Sequence, residues 1–99
     1  MRLLRIYKSP KMGKKLRAEF VLDTGRIAFT DFGASGYRDF TTMPHNPEAR
    51  EVRQRYRTRH EKEEGSALNT PGMLSLHILW GEHQSIAKNV AEYKQKHGI

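Results

Sequence analysis

The stretch Lys14-Lys15-Leu16-Arg17-Ala18-Glu19-Phe20-Val21-Leu22-Asp23-Thr24-Gly25-Arg26-Ile27-Ala28-Phe29 decides the fold. Leu16, Ala18, Phe20 and Leu22 recur at every second position, opposite Arg17, Glu19, Val21 and Asp23, which is the period of a half-buried strand. Asp23-Thr24-Gly25-Arg26 supplies hairpin chemistry, with Gly25 free to take a positive φ. A returning strand from Arg26 to Phe32, running through Ile27 and Phe29, completes a β-hairpin over residues 16–33.

Upstream, Arg2 to Lys8 reads as a further strand, with Leu4 and Ile6 on one side and Leu3, Arg5 and Tyr7 on the other. Ser9-Pro10-Lys11-Met12-Gly13 is a turn by composition, so residues 1–15 form a basic N-terminal strand and turn. The result is a small antiparallel meander with one oily face. Downstream the pattern changes. Gly33-Ala34-Ser35-Gly36-Tyr37 is a loop, and Asp39 to His45 runs extended toward a helix start. Asn46-Pro47-Glu48 combines a capping residue, a first-turn proline and an acid near the positive helix end. The helix it opens spans 47–64, stops at Gly65, and has a thin apolar seam of Ala49, Val52 and Tyr56. Thr70-Pro71-Gly72 opens a second helix over 71–80, the most apolar segment and the expected buried centre. Ser85 caps a third, amphipathic helix over 85–97, with Ile86, Val90 and Tyr93 inward and Gly98 closing it. The expected architecture is a single α+β domain over 1–99, a three-stranded antiparallel meander followed by three helices.

Absence of cysteine excludes disulfide scaffolds and cysteine-ligated metals, and fits an intracellular setting. No apolar run approaches the ~20 residues of a membrane span, and the first residues lack the apolar core of a signal peptide. No membrane partner is expected.

The net charge of +7 is segregated. Met1 to Arg17 holds seven basic residues and no acid, residues 18–49 are net −3, and Arg50 to Lys62 is net +4. Two positive blocks attract nucleic acid, acidic protein or anionic lipid if the fold brings them together, although any single lysine or arginine can serve solubility alone. In the second block Arg50, Arg53 and Arg57 share one helix face, while Arg55, Arg59 and Lys62 line a neighbouring one.

Other constellations carry less. Asp31-Phe32-Gly33 spells the kinase metal-binding tripeptide without any companion motif, and reads as a strand end turning on glycine. Gly33-x-x-Gly36 beside Arg38 can nest an anion, yet no helix and no Gly-Lys-Ser/Thr follows, so a structural turn is the better reading. Five histidines lack zinc-ligand spacing. A His60, Asn69 and His83 nuclease centre would need a ββα hairpin where the sequence reads helical, and His77 reads as a core histidine bonded to a backbone carbonyl. Glu61, Glu63 and Glu64 read as a solvated helix end. No nucleophile has an evident base, so the chain reads as non-enzymatic, with no metal, no cofactor and no small-molecule substrate. Basic residues interleaved with Tyr7, Tyr37, Phe40 and Tyr56 remain, an arrangement in which rings stack on bases and arginines track phosphates. Tyr37, in the glycine loop, is the ring best placed for exposure.

Phe32-Gly33-x-x-Gly36-Tyr37-x-Asp39-Phe40-Thr41, then Arg55-Tyr56-x-x-Arg59-His60, then Thr70-Pro71-Gly72-x-Leu74-Ser75 and Ile78-Leu79-Trp80-Gly81 form an ordered series over residues 16–95. The series resembles a family of small basic proteins of large DNA viruses and phages. That family brings no catalytic residues; the resemblance implies a protein of an infected host cell or of the virion, handling the genome or built into the particle. The expected partner is therefore nucleic acid, contacted through Arg50, Arg53, Arg55, Arg57 and Arg59, with Lys11, Lys14, Lys15, Arg17, Tyr37 and Arg38 as auxiliary contacts. The alternative is a minor capsid or cement protein bound to neighbouring capsid subunits, for which Leu3, Tyr7, Met12 and Met43 are candidate apolar contacts. If Arg50, Arg53 and Arg57 are free contacts, exchanging them together for glutamate leaves the fold intact; if they pair with Asp31, Asp39 or the Glu61–Glu64 cluster, it does not.

Overall fold

A computed structural model describes residues 1–99. Three antiparallel strands, β1 (Arg2–Lys8), β2 (Lys14–Val21) and β3 (Ile27–Ala34), form a sheet in the order β1-β2-β3. Helices α1 (Pro47–Arg59), α2 (Pro71–Leu74, continued by a π-helical turn Ser75–Leu79) and α3 (Ile86–His97) follow, making the α+β architecture that the alternation predicts. The hairpin turn closes with Leu22 N–H donating to the Arg26 carbonyl at 2.8 Å, and Gly25 takes φ +85°.

The sheet's inner face differs from the simple reading at both edges. Ala18 and Phe20 of β2 are buried as expected. In β1 the register shifts between Leu3 and Arg5, a bulge that breaks the two-residue alternation. Leu3 is therefore buried and Ile6 packs against the core, while Leu4 is 41% exposed. On β3 the inward residue is Phe32; Ile27 and Phe29 face outward at 49% and 52% exposure. Pairing of Glu19 with Phe29 and of Val21 with Ile27 fixes this, because directly opposed residues share a face.

The core joins that inner face to Phe40, Met43, Ala49, Met73, Leu74, Ile78, Leu79, Trp80 and Tyr93. Leu3 and Met43, candidate surface contacts from sequence, belong to this core, whereas Met12 is almost fully exposed. Phe40–Thr42 forms a 3-10 turn instead of an extended run, because the Asp39 carboxylate accepts from Thr41 N–H and the Thr42 side chain closes a capping box.

Helix α1 ends at Arg59, short of the expected 64, with His60 as its C-cap. The next residues, Glu61–Glu63, make a separate 3-10 turn. Three glutamates at the negative end of a helix dipole disfavour its continuation, which accounts for the earlier stop. Helix α2 is not a regular α-helix to residue 80. Trp80 N–H reaches back five residues to the Ser75 carbonyl at 3.0 Å. Carbonyls of the last turn, at Leu76, Ile78 and Trp80, accept from side chains of α1 and α3.

Helix α3 starts one residue after its expected limit, with Ser85 as N-cap, and Gly98 ends it in the left-handed region. Besides Tyr93 it buries Asn89. Asn89 Nδ2 donates to the carbonyls of Ile78 and His83, each at 2.8 Å, and its Oδ1 accepts from His83 N–H at 2.9 Å. One amide thus ties α3 to the end of the buried helix.

Candidate functional site

The arginines of α1 divide by face. Arg53 Nε donates to the Gly81 carbonyl at 2.8 Å, and its Nη2 lies 3.2 Å from Glu82. Arg57 Nη1 donates to the carbonyls of Leu76 at 2.6 Å and Trp80 at 2.9 Å. Burial, reinforced by the nearby Arg53 charge, lowers the Arg57 pKa. These two side chains cap the carbonyl end of the buried helix, where partial negative charge favours cations. The expectation that Arg50, Arg53 and Arg57 make one free contact face is corrected accordingly: only Arg50 of the three is exposed, and its guanidinium lies 5.9 Å from the Phe40 ring centroid. The pairing partners are carbonyls and Glu82, with Glu64 at 4.0 Å from Arg57, and neither Asp31 nor Asp39.

The neighbouring face is the one that opens onto a cavity. A cleft of about 590 Å³ lies between the end of the sheet and the helices. The hairpin register creates one wall. Lys14 at the start of β2 pairs with Ala34 at the end of β3, so Lys14 and Lys15 stand beside the loop leaving β3. That loop is tied back by Ser35 N–H donating to the Gly13 carbonyl at 3.0 Å, and by Lys15 Nζ bonded to buried Asp39 at 2.6 Å. Tyr37 and Arg38 therefore reach the cleft from this side. Gly33, at φ +80°, permits the close approach: a Cβ there would lie 2.7 Å from Leu79 Cδ1.

Helix α1 supplies the other wall through Val52, Tyr56, Arg59 and His60. Tyr56 is stacked on both Trp80 and His60, with ring centroids 4.2 Å and 4.1 Å apart. Burial raises the Tyr56 pKa. Of the cations lining the cleft, Lys15 is neutralised by Asp39, whereas Lys14, Arg38 and Arg59 have no carboxylate partner. The one other acid on the lining is Glu63, whose Oε2 would lie 2.2 Å from a Cβ at Gly72. Two carboxylates against four Lys and Arg side chains leave the cleft positive.

Of the residues singled out from sequence, Lys14, Lys15, Tyr37, Arg38 and Arg59 are brought together here. Arg55 is exposed one turn before Arg59 on the same helix face, and Lys11 is exposed on the β1–β2 turn. Arg17 is engaged on the sheet, its Nε and Nη2 2.9 and 3.0 Å from the Asp31 carboxylate, which also accepts from Ser9. Those bonds hold the Asp31 pKa down at about 2. Sequence reading missed His60, Trp80, Asp39 and Glu63 as cleft residues. All but Glu63 stand inside the three motif segments, which was the signal available.

The histidines are distributed over separate contacts. His77 Nε2 lies 2.9 Å from Glu64 Oε1, replacing the expected backbone partner, and burial lowers its pKa. His83 bonds Glu92 at 2.7 Å, whereas His60 is stacked on Tyr56.

A family model matches residues 4–60, from within β1 to the end of α1, and hence the glycine loop, Tyr56, Arg59 and His60. The chain belongs to DUF5754, a family of unknown function. No curated protein and no solved structure matches the chain. In this DUF5754 protein the matched region supplies both cationic walls of the cleft, and the residues beyond it supply the floor through Pro71, Gly72, Ser75, Leu79 and Trp80.

Proposed function

We propose that this protein is a non-enzymatic nucleic-acid-binding domain whose contact surface is the cationic cleft. One observation carries the reading: three segments far apart in sequence, at Lys14, at Tyr37–Arg38 and at Arg59–His60, line one cavity with three cations that no carboxylate neutralises. Unpaired cations on a concave wall attract phosphate, and guanidinium groups engage its oxygens through several donors. The arginine helix contributes through Arg59 and the flanking Arg55, while Arg53 and Arg57 hold the fold. Likeness of the motif series to small basic proteins of large DNA viruses and phages supports a genome-handling setting in an infected cell.

Fluorescence anisotropy tests this with labelled DNA, offered both as a single strand and as a duplex, from about 50 to 200 mM salt. Micromolar or tighter binding of either form near physiological salt, weakening steeply as salt rises, supports the reading. Binding of neither form contradicts it.

A second reading, a minor virion component, rests on a different surface. Leu4, Ile27 and Phe29 leave apolar area exposed on the outer side of the sheet, the kind of area a particle contact would cover. Under that reading the chain is recovered from purified particles, and exchanging Ile27 and Phe29 for serine removes it from them.

A further inference from the structure

Building on the nucleic-acid reading, we infer that the cleft takes a single-stranded segment, with an unpaired base against Tyr37 and its phosphates on Lys14, Arg38 and Arg59. Three observations point to this form. The first is shape. A cavity of about 590 Å³ is of the size that encloses a small molecule or a nucleotide, and a duplex presents its phosphates on a convex rod too broad to enter. Duplex readers instead push a helix or ribbon outward into a groove.

The second is the fate of the arginine helix. A helix that enters the major groove presents its basic face outward. In α1 two of the five arginines are turned inward, Arg53 on the Gly81 carbonyl and Arg57 on those of Leu76 and Trp80, so the Arg50-Arg53-Arg57 stripe is not presented as one outward face. Arg50, Arg55 and Arg59 remain exposed, and of these Arg59 lines the cleft.

The third is Tyr37 itself. The chain has four tyrosines. Tyr7 lies under the Arg5 guanidinium at 4.6 Å, Tyr56 is stacked between Trp80 and His60, and Tyr93 meets His97. Tyr37 has no ring or guanidinium partner, stands 75% exposed, and lies on the cleft lining next to Arg38. An exposed ring beside unpaired cations is the arrangement by which single-strand binders stack a base while holding its backbone.

The test compares a labelled oligothymidylate of about twelve nucleotides, within the site size of small single-strand binders, with a duplex of equal length. The intact protein should bind the single strand at least about tenfold more tightly near physiological salt. Tyr37→Ala should weaken single-strand binding about tenfold without changing its salt slope, and Tyr37→Phe should restore it, since the ring and not the hydroxyl stacks. Lys14→Ala should instead reduce the salt slope, by about one phosphate contact. Equal or tighter duplex binding overturns the inference while leaving the nucleic-acid reading in place, as does a Tyr37→Ala protein of unchanged single-strand affinity. Failure of both forms to bind overturns the wider reading and this one with it.

Discussion

Arg57 Nη1 donates to the carbonyl oxygen of Leu76 at 2.6 Å, so the most basic helix of the chain is fastened to the most apolar one through a guanidinium. Leu76 lies in the last turn of that helix, where carbonyls have no donor from the helix itself, and the same nitrogen also reaches Trp80. Charge that looks like a binding face in one dimension is therefore partly a fold device.

Arg57→Ala should consequently lower stability. Hydrogen bonds from a charged donor contribute about 1.5–3 kcal/mol each, and partial exposure reduces this, giving a loss of about 2 kcal/mol for the pair. For a domain of this size the midpoint of thermal unfolding should fall by roughly 10 °C. Arg55→Ala, on the exposed side, should stay within about 0.5 kcal/mol of the parent. Thermal melts of the two variants make the comparison.

The Asp31 carboxylate, bonded to Arg17 and Ser9, has its pKa lowered from 3.8 to about 2. A folded-state pKa below the unfolded one means a contribution that is present above the unfolded value and is lost as pH falls through the folded one. The melting temperature should therefore drop between about pH 4 and pH 2. Asp31→Asn should be less stable at neutral pH and should show a shallower decline over that acid range in melts recorded by circular dichroism.

The strands, the caps of the helices and the buried segment around Leu74–Trp80 were legible because they rest on local rules of period, capping and turn chemistry. The β1 bulge was not, since a single extra residue leaves no mark on Leu3, Leu4 and Ile6 beyond three apolar side chains in a strand. Ile27 and Phe29 misled for a related reason: apolar character does not say which face of a sheet is covered. The π-turn and the inward Arg53 and Arg57 depend on where α1 crosses the end of the buried helix, a tertiary fact. Of the site, Lys14, Lys15, Tyr37, Arg38 and Arg59 were readable as types suited to an anion. Their meeting in one cleft follows from the Lys14–Ala34 register and the Lys15–Asp39 bond, and the second of these has no local signature.

Glu63 lies against Gly72 on the cleft lining, the one carboxylate there without a cationic partner. Its charge opposes any anion that enters. Glu63→Gln should strengthen nucleic-acid binding about two- to fivefold, in keeping with roughly 1 kcal/mol or less for a partly exposed charge. Titration at low salt, where screening is weakest, gives the clearest reading.

The most direct test of the cleft compares two charge-reversal triples that change net charge equally. One replaces Lys14, Arg38 and Arg59 with glutamate; the other replaces Arg2, Arg26 and Lys88, which are exposed and away from the cleft. Affinity for labelled single-stranded DNA is read by anisotropy near physiological salt, after circular dichroism has verified that both are folded. The cleft triple should lose binding by about a hundredfold or more, while the remote triple should keep it within about tenfold, the part owed to long-range attraction. Equal losses in the two would mean that total charge alone governs association, and would contradict the cleft as the binding site.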